Sequence, residues 1–496
     1  MPEFSVTNLP EIFVSDTAIS KQVSEAVGRA QLRKLASRLY TRNLTEDPVR
    51  LVRRNWYYLI SGYYPDALIA DRTALENQPA QDGSVFLISG KKRDTELPGL
   101  IFRPRKGPPP LESDRPFVGG ARLSSVPRAY LENMRPSRAR DGRVARTLPR
   151  AELEARLDAL IRRQGDEAAN RLRDEARAIA SALGLEKEFE ELSVLIGTLL
   201  GTRDAEMQSP AGKARAAGQP FDPDRLRLFE TLFAALRETV PVDRSIPDRD
   251  VEANGTLAFF EAYFSNFIEG TEFSVKEAED IVFNGVIPDE RPEDAHDVLG
   301  TFRIVSDLGE MRRTPKSFDE FVAFLRRRHT IIMEARPDKN PGSFKTKPNQ
   351  AGTTVFVAPD LVIGTLEKGF EFLQALAEPF QKAAFMMILV SEVHPFADGN
   401  GRIGRIMMNA ELIAAGQERI IVPTAFRTDY LGPLKALSHN AETAPLIRML
   451  DVAQRYTHGI DWRTLEHARA MLEQTNAFAQ GEEAKLRVDW RAWNTK

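Results

Sequence analysis

The chain has no cysteine among its 496 residues. That absence excludes disulfides, cysteine nucleophiles and thiolate metal sites, and it fits a reducing compartment. Long hydrophobic runs are missing as well. The longest purely apolar stretch is "AAFMMILV", Ala383 to Val390, far short of the ~20 residues that span a bilayer. The first residues, "MPEFSVTNLPEIFVSD", lack the basic start and apolar core of a signal peptide. A soluble, cytoplasmic protein with no membrane partner is the resulting expectation. One-signed charge is also absent: 68 Lys+Arg against 71 Asp+Glu give −3. Whole-chain electrostatics therefore select no partner, and a nucleic-acid surface would have to be a local patch.

What is present is a long globular chain, with apolar residues at 42% and charged residues at 28%, enough for roughly two to four domains. From Phe13 to Leu44, "TAISKQVSEAVGRAQLRKLASRLYTRN" places Ile19, Val23 and Val27 at helical spacing before Gly28 and a basic run. Helix, turn, helix and a short strand are expected there, a winged-helix-like unit over 1–48. An α/β segment over 49–150 follows, mixing strand-like "SVFLIS" with proline-rich turns such as "KGPPPLESDRP". It ends in a basic patch, six arginines from Arg135 to Arg150 against the single acid Asp141. Helical spacing returns at Ala151, and "GTRDAEMQSPAGKARAAGQPFDPD" then reads as a linker or exposed loop, so 151–222 is expected to be a helical connector. From 223 to 455 helical patterns dominate, broken by the alternating "TTVFVAP" (Thr353 to Pro359), and 456–496 reads as a charged helical tail. The expected class is mainly α.

The densest chemistry lies in "HPFADGNGRIGR", His394 to Arg405. The apolar "QKAAFMMILVSEV" before it suits a helix buried on every side. "RIGRIMMNAELIAAG" after it suits a helix ending at Gly416. The motif is then a loop opening onto a helix N-terminus, where free N–H groups and the helix dipole favour anions. Gly399 and Gly401 let backbone amides wrap phosphate oxygens. Arg402 and Arg405 supply guanidinium forks for phosphate. Asp398 offers a hard oxygen for Mg²⁺ held jointly with phosphates. His394 can titrate near neutral pH and take a proton from an attacking hydroxyl. A base, a metal ligand and a phosphate nest together point to nucleotidyl transfer.

The twelve residues match the HxFx(D/E)GNGRxxR signature of the Fic family, enzymes of the Fido fold that mostly transfer AMP from ATP to a protein hydroxyl. The resemblance covers roughly 250–455. It implies an all-helical domain with a β-hairpin flap, ATP and Mg²⁺ as substrate and cofactor, His394 as general base and Asp398 as Mg²⁺ ligand. It further implies Asn400 with the Gly399 and Gly401 amides around the α-phosphate, Arg402 on the α/β-phosphates, Arg405 on the γ-phosphate, and Phe396 as the loop's buried anchor. "GTTVFVAP" resembles the flap, with Thr353, Thr354, Val355, Phe356 and Val357 pairing with an extended target segment. "PGSFKTKPNQ" resembles a Pro-Gly-x-aromatic-Arg stretch, with Lys345 where arginine is common.

"SNFIEG", Ser265 to Gly270, fits the (S/T)xxxE(G/N) inhibitory signature of many Fic proteins. Ser265 and Glu269 share a helix face, and "SVKE" from Ser274 reads as a capping box opening the next helix. By resemblance, Glu269 pairs with Arg405 and keeps it from the γ-phosphate, so the expected protein is an autoinhibited adenylyltransferase. Its partners are ATP and an unidentified target protein, which includes the option of itself, with a homodimer left open. The N-terminal part is similar to abortive-infection-type antitoxin transcriptional regulators, which implies DNA contact through Gln31, Arg33 and Lys34, aided by the Arg135 to Arg150 patch. Two alternatives stay open: a Fic enzyme that removes AMP, and a DNA-binding antitoxin-type regulator whose Fic domain senses nucleotide.

Overall fold

The computed structural model describes residues 5–139, 142–240, 242–481 and 484–490. The chain divides into two compact units, the first ending at Gly218 and the second beginning at Gln219. Arg140 and Asp141 of the basic patch lie outside the described residues.

The first unit begins with a three-stranded antiparallel sheet in which Leu39–Thr41 lies between Ile12–Val14 and Arg33–Ala36. One helix, Ser20–Gly28, covers it through Val23 and Ala26, with Phe13 and Leu32 in the same small core. This corrects the expected helix-turn-helix. The basic run after Gly28 forms a hairpin, not a second helix, because Ala30 and Arg38 adopt left-handed torsions (φ 56° and 62°) that end the helix and turn the chain. Gln31 therefore sits in a turn, and Arg33 and Lys34 sit on a strand, not on a recognition helix.

Next comes a six-stranded mixed sheet in the order Thr95–Leu97, Leu100–Arg105, Ser84–Ile88, Leu68–Ile69, Arg122–Leu123, Arg115–Pro116. Ser84–Ile88 is buried along its whole length, which explains why it reads as a continuous apolar run instead of an alternating one. Helices Arg150–Gln164, Asp166–Leu183 and Glu186–Leu199 follow, separated at Gly165 and Gly184, both with positive φ. The expected linker is more ordered than its composition suggests. Met207 is buried, the Glu154 carboxylate accepts the Gln208 and Ser209 N–H groups at 2.7 Å each, and Ser209 caps the short helix Pro210–Ala216.

The described part of the second unit is helical apart from short 3-10 turns, an isolated bridge and the hairpin Gln350–Ala351 with Thr354–Val355. Its axis is the helix Pro379–Val393, whose Phe385, Met386, Met387, Ile388, Leu389 and Val390 are all fully buried. Helices Pro223–Glu238, Val362–Gln374 and Asn400–Ala414 pack around it. Each such side chain contributes ~1.5–3 kcal/mol on burial, so this helix fixes where its C-terminus, and the loop it leads into, must lie. A boundary near 455 falls within the helix Ala444–Gly459, and beyond it Trp462, Leu472 and Ala477 join a core with Phe259, Phe260 and Phe264.

Candidate active site

The loop Pro395–Gly399 is held between the helices Pro379–Val393 and Asn400–Ala414 by its own side chains. Asn400 Oδ1 accepts from Phe396 N at 2.8 Å, and Asn400 Nδ2 donates to Phe396 O at 2.9 Å. Both ends of that amide are spent on folding the loop. These two bonds use Oδ1 and one of the two Nδ2 hydrogens. Phe396 is fully buried and stacks on His329, ring centres 3.7 Å apart. Lys345 clamps the entry to the loop: its N–H donates to Pro395 O at 2.8 Å and its ammonium to Asn349 Oδ1 at 2.7 Å. Burial pulls that ammonium down to about 8.

His394 ends the buried helix in a left-handed conformation, φ 51°. Its Nδ1 lies 3.2 Å from Ser391 O, a carbonyl that can only accept, so Nδ1 carries the proton and Nε2 keeps a lone pair. The ring is stacked on Phe356 of the flap at 3.7 Å and 3°. Burial lowers its pKa to about 4, which corrects the expectation of titration near neutrality: the imidazole is a neutral base at pH 7.

Gly399 opens the helix Asn400–Ala414 with φ 73°, and a Cβ there would meet Met333 Sδ at 2.9 Å. At Gly401 a Cβ would lie 2.1 Å from Glu269 Oε1. Only glycine lets that carboxylate reach the helix N-terminus. Glu269, C-cap of the helix Val251–Ile268, also ion-pairs with Arg405 at 2.7 Å. Arg405 further donates to Ser265 Oγ at 3.0 Å and Ser265 O at 2.8 Å. The guanidinium is buried, whereas 35% of the Glu269 side chain is exposed. Gly270, φ 96°, turns the chain away.

A cavity of ≈ 190 Å³ is lined by Glu269, Thr354, Phe356, His394, Gly401, Arg405 and Tyr430 among others. His394, Arg405, the Glu269 carboxylate, Thr354 and Phe356 thus share a single cleft. The hairpin is tied down from outside: Arg225 donates to Val355 O at 2.6 Å and pairs with buried Glu392, and Thr354 Oγ1 meets His439 Nε2 at 2.9 Å. Thr353 and Val355 are exposed, while Val357 is buried.

Arg402 is not among that lining. Its guanidinium is buried against Asp297 at 2.7 Å, with Asn266 and Met333 beside it. Asp297 is shared with Arg336 at 2.9 Å, and burial raises the Asp297 carboxyl above the usual range. Asp398 Oδ1 accepts from Gly399 N at 2.7 Å, and its carbonyl oxygen faces His329 Nε2 at 3.0 Å. Gly342 N donates to the other ring nitrogen, fixing the tautomer. Among the described residues no group of three or more His, Asp or Glu could hold a metal.

His329, Asp297, Tyr430 and the Arg225–Glu392 pair are absent from the sequence reading. None stands in a short motif, and all but Glu392, which lies on the helix leading into the loop, reach the site through packing of a separate helix.

Residues 319–412 match the family model described as the Fic/DOC family. Over 236 residues the chain is 23% identical to protein adenylyltransferase fic-1 of Caenorhabditis briggsae, covering 47% of this chain and 45% of that protein. Over 112 residues it is 33% identical to protein adenylyltransferase Fic of Drosophila persimilis, covering 22% of each. The chain thus spans about half or less of these curated relatives. A solved fragment of Fic-1 from Caenorhabditis elegans aligns with TM-score 0.36 at 17% identity, covering 65% of this chain and 93% of that one.

Proposed function

Because the chain carries a Fic/DOC-family domain over residues 319–412, we propose that it is a protein adenylyltransferase held in check by Glu269. The observation that carries this reading is the cleft in which the lone pair of His394 faces the same space as Arg405 and Glu269. His394 Nε2 takes the proton of a target hydroxyl. The freed oxygen bonds to the α-phosphorus of ATP as the bond to pyrophosphate breaks. The backbone amides at Gly399 and Gly401 and the dipole of their helix steady the phosphates, and Phe356, stacked on His394, holds the base in register. The exposed turn of the hairpin at Thr353 suits contact with an extended target segment. Mg²⁺, when bound at Asp398, would offset phosphate charge.

Glu269 occupies the place at the helix N-terminus where a phosphate anion is best stabilised, and it takes Arg405 as its partner. Displacing it exchanges one anion for another on a buried guanidinium, which makes a two-state device. Couplings of this type amount to about 5–150-fold. Incubation with labelled ATP and Mg²⁺ should accordingly give at least ~5-fold more protein labelling in Glu269→Gly than in wild type. His394→Ala in the released background should abolish it, and equal labelling without the imidazole would sink the assignment.

A further inference from the structure

The proposed transferase chemistry uses none of the arginines between Arg135 and Arg150. The fold gives them different tasks. Arg135 pairs with Glu188, Arg143 with Glu96 and Arg150 with Glu154. Arg138 and Arg146 instead line a cavity of ≈ 790 Å³ within the first unit, together with Arg103 and Arg105 of the strand Leu100–Arg105.

Positive charge is under-balanced there. Asp71 is wholly buried and holds two guanidiniums on one carboxylate, Arg105 at 2.8 and 2.9 Å and Arg146 at 2.7 Å. Arg103 stands 3.9 Å from Asp94, which also lines the cavity, and lies over the Phe86 ring at 5.0 Å. Arg138 is exposed and makes no ion pair with a described residue. Arg105 also lies 3.6 Å from the buried Glu132 carboxylate, so among the described residues four guanidiniums meet three carboxylates. Behind them Arg128 takes Asp114 at 2.7 Å and Glu132 at 3.0 Å. Both Glu132 oxygens accept hydrogen bonds, one from Arg128 and the other from Asp71 N and Ser124 Oγ, so with this layer five guanidiniums meet four carboxylates among the described residues.

The arrangement is also preformed. Asp71 adopts φ 53° and its N–H donates to Glu132 Oε2 at 3.1 Å, a left-handed torsion that persists only where the surroundings impose it. Arg105 and Arg146, each braced on one side by that carboxylate, lose little freedom on meeting an anion.

We propose that this cavity binds a phosphomonoester. Its anionic oxygens match the guanidiniums that line the cavity, exposed Arg138 first among them, and the volume falls within the ~300–1,000 Å³ of small-molecule sites. The phosphate is that of a free nucleotide-sized molecule or of a nucleic-acid 5′ end.

Calorimetric titration of the full chain at low salt tests this with thymidine 5′-monophosphate and a 5′-phosphorylated oligothymidylate, each beside its unphosphorylated counterpart. The phosphorylated probes bind and the others do not. Arg138→Glu weakens binding roughly 10- to 100-fold, the range of a lost charge-assisted contact, and Arg138→Gln does so less. Since neither variant touches the Glu269–Arg405 cleft, the difference from wild type locates binding in this cavity. Binding of the mononucleotide identifies a free ligand, and binding of the oligonucleotide alone identifies a nucleic-acid end. The proposal fails if phosphorylated and unphosphorylated probes behave alike, or if folded Arg138→Glu and Arg138→Gln both bind as wild type does.

Discussion

His394 and Asn400 show how the same twelve residues yield roles that composition leaves open. The imidazole is neutral because the helix end and the flap bury it, and the Ser391 carbonyl fixes which nitrogen is free. A base with pKa about 4 stays unprotonated well below pH 6. We expect the acid limb of the labelling rate in Glu269→Gly to fall near pH 4–5, provided the folded fraction is checked by circular dichroism. A limb centred near 6.5 would mean that the ring is solvated. Asn400 belongs to the loop's own hydrogen bonds, a division of labour that spacing cannot reveal. Asp297 illustrates the converse. Nothing near it in sequence resembles a motif, yet it is the ion-pair partner of Arg402, and its Oδ1 and the Arg402 Nε have no hydrogen-bond partner among the described residues.

At the scale of elements, the helices were legible where caps and periodicity agreed. The all-round apolar Pro379–Val393, the C-terminal Gly416 with φ 70°, and the Ser274–Glu277 capping box all stand where the residues put them. In the box, Ser274 Oγ accepts from Glu277 N at 3.2 Å and Glu277 Oε2 from Ser274 N at 2.7 Å. Ser274→Ala should lower stability by ~1 kcal/mol and leave ATP-dependent labelling unchanged, as a urea titration and a labelling assay would register. A change in labelling would couple this helix to Glu269, five residues before it. The basic hairpin at 31–43 misled because short amphipathic runs fit periods of 2 and 3.6 equally. Two left-handed non-glycine residues decided between them, and nothing in their identity announces that torsion.

At the scale of the whole chain, buried ionisable groups work against one another. Burial lowers His329 and His394 to about 4 and raises Glu411 to about 7. A carboxyl raised in the folded state adds stability below its unfolded value of 4.5, and that stability is lost as pH rises through about 7. Glu411→Gln should therefore be more stable than wild type at pH 8, by on the order of 1–3 kcal/mol, with the difference vanishing near pH 4.5. An equal difference at both pH values would show that Glu411 is not buried as a carboxyl. The contrast between the two halves of the chain follows the same physics. The sequence by itself determined the loop between two helices and the residues on which the proposed reaction class rests, because phosphate chemistry requires glycines, arginines, a carboxylate and a base within one short stretch. Only the tertiary structure decided that the Glu269 carboxylate, expected to pair with Arg405, lies against Gly401 at a helix N-terminus, that Asp297 takes Arg402, and that two arginines of a basic patch join two from a strand. Those contacts join residues distant in the chain, and packing, not spacing, brings them together.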